Sequence, residues 1–210
     1  GKDCSTWAVI ACDQYTADPA YWERGRRNAE GCPSTINRIL PEAELGTEQE
    51  AAHTAVINKT MADYMKNDVF TTYPNSYVYV ERTLENGSIR DGLVGMVDLD
   101  AYDYTPGATS AIRATERTVP ERIPPRQRVR RDAPTELPHV LMLCDDHDKK
   151  LIEPIAAKKA SPNKLSDFDL LADGGHITGW LVAGQDVEDF HQAPPAYTAA
   201  LGASYTGLTR

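Results

Sequence analysis

The fold class of this 210-residue chain follows from residues 77–99, which read YVYVERTLENGSIRDGLVGMVDL. Its two arms, 77–84 and 89–99, are rich in strand-forming residues, and the four residues ENGS lie between them. An Asn-Gly pair between two such arms favours a tight hairpin turn. The sequence therefore predicts two antiparallel strands that meet at Asn86 and Gly87.

Two helices are expected before this hairpin. Asp18 and Pro19 are typical of a helix start, and the glycine and proline at 31 and 33 are typical of a stop, so the first helix covers 19–30. Thr47 and Glu50 form a capping box for the second helix. Five residues of that helix recur at spacings of three and four and predict one buried stripe, on which His53 is a packed side chain: His53, Ile57, Met61, Tyr64 and Met65.

Continuous apolar runs at 7–12 and 137–144 are expected to be buried strands. With the hairpin and the helices they predict one α+β domain over 1–210, in which the two helices pack on a mixed sheet that contains the hairpin. No apolar run approaches the ~20 residues of a membrane span, and the amino end lacks the apolar stretch of a signal peptide. We therefore expect a cytoplasmic protein without a membrane partner.

The charge is unevenly distributed along the chain. The net charge is −9, which disfavours nucleic acid as a partner, but the segment 113–131 carries seven arginines against two glutamates, a local charge of +5. Arginine suits phosphate or carboxylate, so a small anion is one expected partner. Pairing with the protein's own acids is the open alternative. Pro124 and Pro125 favour extended backbone, which would place the arginines at 126, 128 and 130 on one face, about 7 Å apart.

Metal and proton-transfer chemistry have fewer candidates. The four cysteines show no CxxC spacing, which argues against zinc. Aspartates cluster after the hairpin, at 98, 100 and 103, where turns are the favoured interpretation. Asp145 and Asp146 follow the run 137–144 and could hold magnesium, although an acidic loop without a ligand also explains them. Gly174 and Gly175, next to His176, allow close approach to a ligand or to another strand, and His176 titrates near neutral pH.

Six blocks of the sequence, in this order, resemble a bacterial family of unknown function, DUF1015. They are WAVIACDQYTADPAYW (7–22), PSTINRILPE (33–42), GLVGMVDLDAYDYTPGA (92–108), IRATERTVPERIPPR (112–126), ELPHVLMLCDD (136–146) and DFDLLADGGHITGWLV (167–182). The resemblance implies that family members are about twice as long and carry a second glycine-histidine motif in their later half. The chain is accordingly expected to be the N-terminal part of a longer protein. That later motif is similar to one in the ParB and sulfiredoxin superfamily, which includes free-serine kinases that use nucleotides.

The leading functional hypothesis is an enzyme that transfers a phosphoryl group from a nucleotide, ATP or ADP with magnesium, to a hydroxy amino acid such as serine. In it, Glu116 accepts a proton and His176 orients or donates one. The oxyanions are held by Arg113, Thr118, Arg122, Arg126 and the backbone of Gly174 and Gly175, and magnesium by Asp145 and Asp146. The alternative is a regulatory module that binds a small anion or nucleotide without chemistry. A homo-oligomer is compatible with either hypothesis.

Overall fold

A computed structural model describes the following residues: 5–9, 18–96, 100, 102, 103, 105, 109, 110, 112, 119–135, 140, 141, 146–191, 205 and 206. The helices are α1 (Pro19–Asn28), α2 (Gln49–Lys66), α3 (Ile123–Arg130), α4 (Ile152–Ala156) and α5 (Gln185–His191). The strands are β1 (Tyr77–Thr83), β2 (Ile89–Val94), β3 (Val140–Leu141), β4 (Lys164–Asp169), β5 (His176–Val182) and β6 (Tyr205–Thr206). The predicted α+β class is confirmed.

The main sheet has four strands in the order β2-β1-β5-β4. All its neighbours pair antiparallel, where a mixed sheet was expected. β3 and β6 form a separate antiparallel pair. Of the predicted strand at 137–144, residues 140 and 141 form β3, and the rest of that run lies outside the described residues.

The hairpin prediction is confirmed. Leu84 N donates to the Ser88 carbonyl at 2.8 Å, and Gly87 N donates to the Leu84 carbonyl at 2.9 Å. Gly87 has a φ of 79°, a left-handed conformation that suits glycine. The loop therefore contains three residues with the glycine last, one of the common hairpin connections. The second strand ends at Val94 rather than at residue 99, and 97–99 lie outside the described residues.

The hydrophobic core consists of two clusters. The first joins the sheet to α4 and α5, with these buried members: Tyr79, Leu93, Leu151, Ile155, Val182 and Val187. The second lies around α1 and contains Tyr21, Trp22, Ala29 and Ile36. The short helices α4 and α5 thus pack on the sheet, whereas the two helices expected there do not belong to that cluster. Periodicity shows that a helix has an apolar face but does not show which element covers it.

The predicted first helix is confirmed, and the second differs in its details. Asp18 caps α1 by accepting from Ala20 N and Tyr21 N. At the start of α2, Glu50 accepts from Gly46 N and Thr47 Oγ1 accepts from Gln49 N at 3.3 Å, whereas Glu48, the residue before the helix, forms no side-chain cap. Ile57 and Met61 are buried, but Met65 is exposed, so the apolar stripe is shorter than expected. His53 is half-buried and pairs with Glu44, which agrees with a structural histidine.

Two backbone predictions differ from the structure. Trp7 ends a short 3-10 helix, Ser5–Trp7, residues 8 and 9 are not in a strand, and 10–12 lie outside the described residues. The arginine segment is also not extended, because Ile123–Arg130 forms α3 with both prolines in its first turn. Proline is tolerated there, since the first N–H groups of a helix have no partner within it. Within the described residues, no helix combines the length and the apolar character needed to cross a membrane.

Candidate functional site

One face of the main sheet changes character along its strands. The register places Tyr79 beside Leu93 and Trp180, and these apolar side chains face α4 and α5. Two residues further along, Glu81 lies opposite Asp91 and Thr178, and Thr178 lies opposite Asp167 on β4. The next pair is His176 with Asp169. We call this polar half of the face the polar row: Glu81, Asp91, Asp167, Asp169, His176 and Thr178.

His176 is held between two carboxylates within this row. Its Nδ1 lies 2.7 Å from Asp169 Oδ1 and its Nε2 lies 2.7 Å from Asp167 Oδ1. The hydrogen bond with Asp169, together with that of Asp167, raises the pKa of His176 above its ordinary value of 6.5. The imidazole therefore favours its charged form, in which both ring nitrogens donate.

The two carboxylates differ in their surroundings. Asp167 is 44 % exposed and also accepts from Lys164 Nζ at 2.5 Å, which together with His176 holds the pKa of Asp167 below its ordinary range. Asp169 is 87 % exposed. Because Asp169 is the more solvated partner, a ligand oxygen can replace it at His176 Nδ1 at smaller cost than it could replace Asp167.

A second set of contacts borders the polar row at β1. Tyr79 Oη donates to Glu81 Oε1 at 2.7 Å, and Lys159 also donates to Glu81. Burial opposes the charge on Glu81, yet the hydrogen bonds from Lys159 and Tyr79 outweigh it and lower the pKa of this carboxyl. Burial, and then Glu81, raise the pKa of Tyr79. Lys159 Nζ lies 5.4 Å from the Trp180 ring centroid, so the ammonium contacts an aromatic ring of the apolar half of the face.

The glycine pair before His176 approaches a strand. A methyl group at Gly175 would overlap the Thr83 carbonyl oxygen, and its φ of 91° also favours glycine. The Gly174 carbonyl accepts from Arg82 Nε at 2.8 Å, and Gly174 N donates to the Leu171 carbonyl at 3.1 Å. Close approach to β1, one of the two roles expected for this pair, accounts for Gly175 in structural terms.

Asp146 organises the start of α4. Its carboxylate accepts from Lys150 N at 2.9 Å and from Leu151 N at 2.8 Å. Leu151, the residue before α4, belongs to the core cluster of the sheet. Asp146 therefore fixes the loop that leads into α4, the helix that packs on the apolar half of this face. Across the described residues, no group of three or more His, Cys, Asp or Glu side chains has a metal-binding arrangement.

Within the arginine segment 113–131, the structure places Arg126, Arg128 and Arg130 in α3. Arg128 makes two hydrogen bonds to Glu50, at 2.7 Å and 3.2 Å, so the helix is attached to α2 by one of its own arginines. Arg128, and then the Gly46 amide, lower the pKa of Glu50 to about 2. Arg126 is exposed. Five of the predicted site residues have side chains outside the described part of the chain: Arg113, Glu116, Thr118, Arg122 and Asp145.

Asp103 forms a turn, as the sequence favoured for the aspartates after the hairpin. Its carboxylate accepts from Thr105 N at 2.8 Å, which holds the pKa of Asp103 below its ordinary value. Side chains that accept from the backbone two residues later are typical of such turns. Asp98 lies outside the described residues.

The sequence pointed to His176 but not to its partners. Asp167 and Asp169 are two residues apart on a strand that precedes the glycine pair, and this spacing places both carboxylates on one face. That spacing was the available signal. The register that brings β4 beside β5 was needed to show that the carboxylates meet the imidazole.

A family model described as Protein of unknown function (DUF1015) matches residues 2–199. The chain belongs to the DUF1015 family. No curated protein and no solved structure shows significant similarity to this DUF1015 chain. The interpretation of the site therefore depends on its own geometry.

Proposed function

We propose that this DUF1015 protein transfers a phosphoryl group from a nucleotide to the hydroxyl of a small hydroxy amino acid such as serine. The observation that carries the proposal is His176, a half-exposed imidazole that lies between Asp167 and Asp169 and whose pKa these carboxylates raise. A cation with a positioned N–H stabilises the charge that develops on transferring phosphate oxygens. The exposed Asp169 is the partner that a substrate oxygen replaces.

In the proposed reaction the substrate hydroxyl oxygen forms a bond to the γ-phosphorus, while the bond from that phosphorus to the bridging oxygen breaks. The nucleoside diphosphate leaves with that oxygen, and Glu116 accepts the hydroxyl proton. The proposed phosphate ligands are Arg113, Thr118, Arg122, Arg126 and the backbone at Gly174 and Gly175, where Gly174 N would exchange its hydrogen bond with the Leu171 carbonyl for one with the phosphate. Exposed Arg126, on α3, agrees with anion binding on that surface.

Asp145 and Asp146 are proposed to hold the magnesium that accompanies the nucleotide. Asp146 uses each carboxylate oxygen for one backbone amide, and each oxygen retains a second lone pair. Magnesium is commonly bound by one or two carboxylates together with phosphates and water, so a three-ligand protein cluster is not required. When bound, the ion neutralises phosphate charge.

The test is phosphorus NMR of ATP, magnesium and serine, with this chain and with a version extended through the later family motif. We expect ADP and phosphoserine to form, and His176→Asn to reduce turnover at least tenfold. His53→Asn is the matched control, because His53 also pairs with a carboxylate but lies on α2. Glu116→Gln should remove turnover while nucleotide binding persists.

Exposed Arg126 also favours a second candidate, a module that binds a small anion or nucleotide and performs no chemistry. The same experiment separates the two. Nucleotide binding without turnover, in the extended version as well as in this chain, supports the binding module and contradicts the enzyme. Turnover that survives His176→Asn contradicts the role of the imidazole.

A further inference from the structure

Three aromatic rings form a cup away from the polar row. Trp7 belongs to the 3-10 helix Ser5–Trp7, Tyr64 to the last turns of α2, and Phe70 to the segment after α2. Their ring centroids are separated by 6.0 Å between Trp7 and Tyr64, 5.7 Å between Trp7 and Phe70, and 6.2 Å between Tyr64 and Phe70. The three rings therefore form a nearly regular triangle.

The guanidinium of Arg38 caps this aromatic cup. Its central carbon lies 5.0 Å from the Trp7 centroid, 5.1 Å from that of Phe70 and 5.8 Å from that of Tyr64. Because the three distances are similar, the guanidinium is the apex of a pyramid over the rings. One side of the cation thus faces the negative ring faces.

Arg38 is buried without an acidic partner. The residue is 9 % exposed, and its Nε donor has no hydrogen-bond partner among the residues that the structure describes. Burial lowers the pKa of Arg38 to about 10. No ion pair joins it to a carboxylate of the described residues. A buried charge ordinarily needs a partner of opposite sign, and ring faces replace only part of that stabilisation.

A second donor lies at the edge of the same cup. The Tyr64 hydroxyl oxygen accepts from Ser34 N at 3.0 Å and from Asn37 Nδ2 at 3.1 Å. Both contacts use the oxygen as acceptor, so the hydroxyl hydrogen still needs an acceptor of its own among the described groups. The Arg38 guanidinium and the Tyr64 phenol thus offer N–H and O–H donors at the same aromatic cup.

Arg128 shows how an arginine of this chain behaves when a carboxylate is within reach. Arg128 is about half exposed and nevertheless pairs with Glu50 through two hydrogen bonds. The chain has 31 acidic residues, so acids are not scarce. Arg38 is buried and has no acidic partner among the described residues, and the Tyr64 hydroxyl beside it has a hydrogen left to donate. Two such donors together suit the binding of an oxyanion.

We propose that Arg38 and Tyr64 bind an oxyanion, a carboxylate or a phosphate group of a small molecule, on the side of the guanidinium that faces away from the three rings. This site goes beyond the proposed phosphoryl transfer and uses none of its residues. The two regions are nevertheless connected. Leu171 N, in the loop that leads to His176, donates at 2.8 Å to the carbonyl of Ala8, the residue after Trp7.

Thermal unfolding in sodium phosphate, sodium acetate and sodium chloride at equal ionic strength tests the proposal. We expect phosphate or acetate to raise Tm by at least 3 °C over chloride, roughly the effect of a 1 kcal/mol linkage. The more effective salt identifies phosphate or carboxylate as the ligand chemistry. Arg38→Met should abolish the shift, and Tyr64→Phe should weaken apparent affinity several-fold.

Arg26→Met is the matched control, because Arg26 is exposed on α1, and it should keep the full shift. A shift that survives Arg38→Met, or no difference between the three salts, overturns the proposal. Should Arg38→Met not fold, Arg38→Lys keeps the charge and removes the planar fork, and an unchanged affinity in that variant also overturns it. Loss of the shift in Arg126→Met with retention in Arg38→Met assigns anion binding to α3 instead.

Discussion

His176 and Arg38 are two cationic side chains in opposite surroundings. His176 lies half-exposed on a sheet between two carboxylates, and its pKa is raised. Arg38 is buried over three aromatic rings, no carboxylate of the described residues pairs with it, and its pKa is lowered. Hydrogen bonds to carboxylates therefore dominate the pKa of His176, and desolvation dominates the pKa of Arg38. His176 therefore already has acidic partners within the polar row, whereas Arg38 has none among the described residues.

The largest expected effect concerns the loop between the two regions. Gly175→Ala adds a methyl group against the Thr83 carbonyl at a φ of 91°, so we expect the free energy of unfolding to fall by about 4 kcal/mol. Urea denaturation measures it. Gly87→Ala is the control, since its φ of 79° is similar but nothing lies within 4 Å, and about 1 kcal/mol is expected. Equal losses in the two variants would show that the contact with β1 is unimportant.

A charge reversal at Arg38 comes next. Arg38→Glu places a buried carboxylate over the negative faces of three rings, so we expect a loss of about 3 kcal/mol in the same denaturation experiment. Arg26→Glu on exposed α1 should change stability by about 0.5 kcal/mol or less. If both reversals have equally small effects, the guanidinium does not occupy the cup.

The pair between Arg128 and Glu50 should appear as an acid-dependent stability. Because the pKa of Glu50 falls from 4.5 to about 2 on folding, its contribution is present above pH 4.5 and is lost as the pH falls towards 2. Thermal melts from pH 2 to pH 6 should show this slope in the native chain and a smaller slope in Glu50→Gln. An unchanged slope in the variant would mean that other carboxylates cause it.

The smallest expected effect is the pH dependence from His176. Its pKa is raised on folding, so its contribution to stability is fully present below pH 6.5 and is lost as the pH rises through the higher folded value. Because the imidazole is 41 % exposed, the change should be small. Melts between pH 6 and pH 9 should show a slight decline in the native chain that is absent in His176→Asn. A decline of equal size in the variant would contradict the ion pairs.

The sequence predicted local features better than long-range ones. The hairpin at Asn86 and Gly87 and the helix after Asp18 depend on turn and cap residues, and both are confirmed. The extended interpretation after Pro124 and Pro125 was wrong, because proline suits the first turn of a helix as well as it suits extended backbone.

The candidate site shows the same limit. His176 could be singled out from its glycine neighbours, but its pairing with Asp167 and Asp169 depends on the register of two strands. The aromatic cup combines side chains from positions 7, 64 and 70 around residue 38. No local pattern connects residues that are so far apart in sequence.

An NMR titration of the His176 imidazole tests whether its two carboxylates raise its pKa. The native chain should give a pKa above 6.5, and Asp169→Asn and Asp167→Asn should each move it back towards that value. His53 provides an internal comparison that these two substitutions should not affect. A His176 pKa at or below 6.5, or one that neither substitution changes, would contradict the claim.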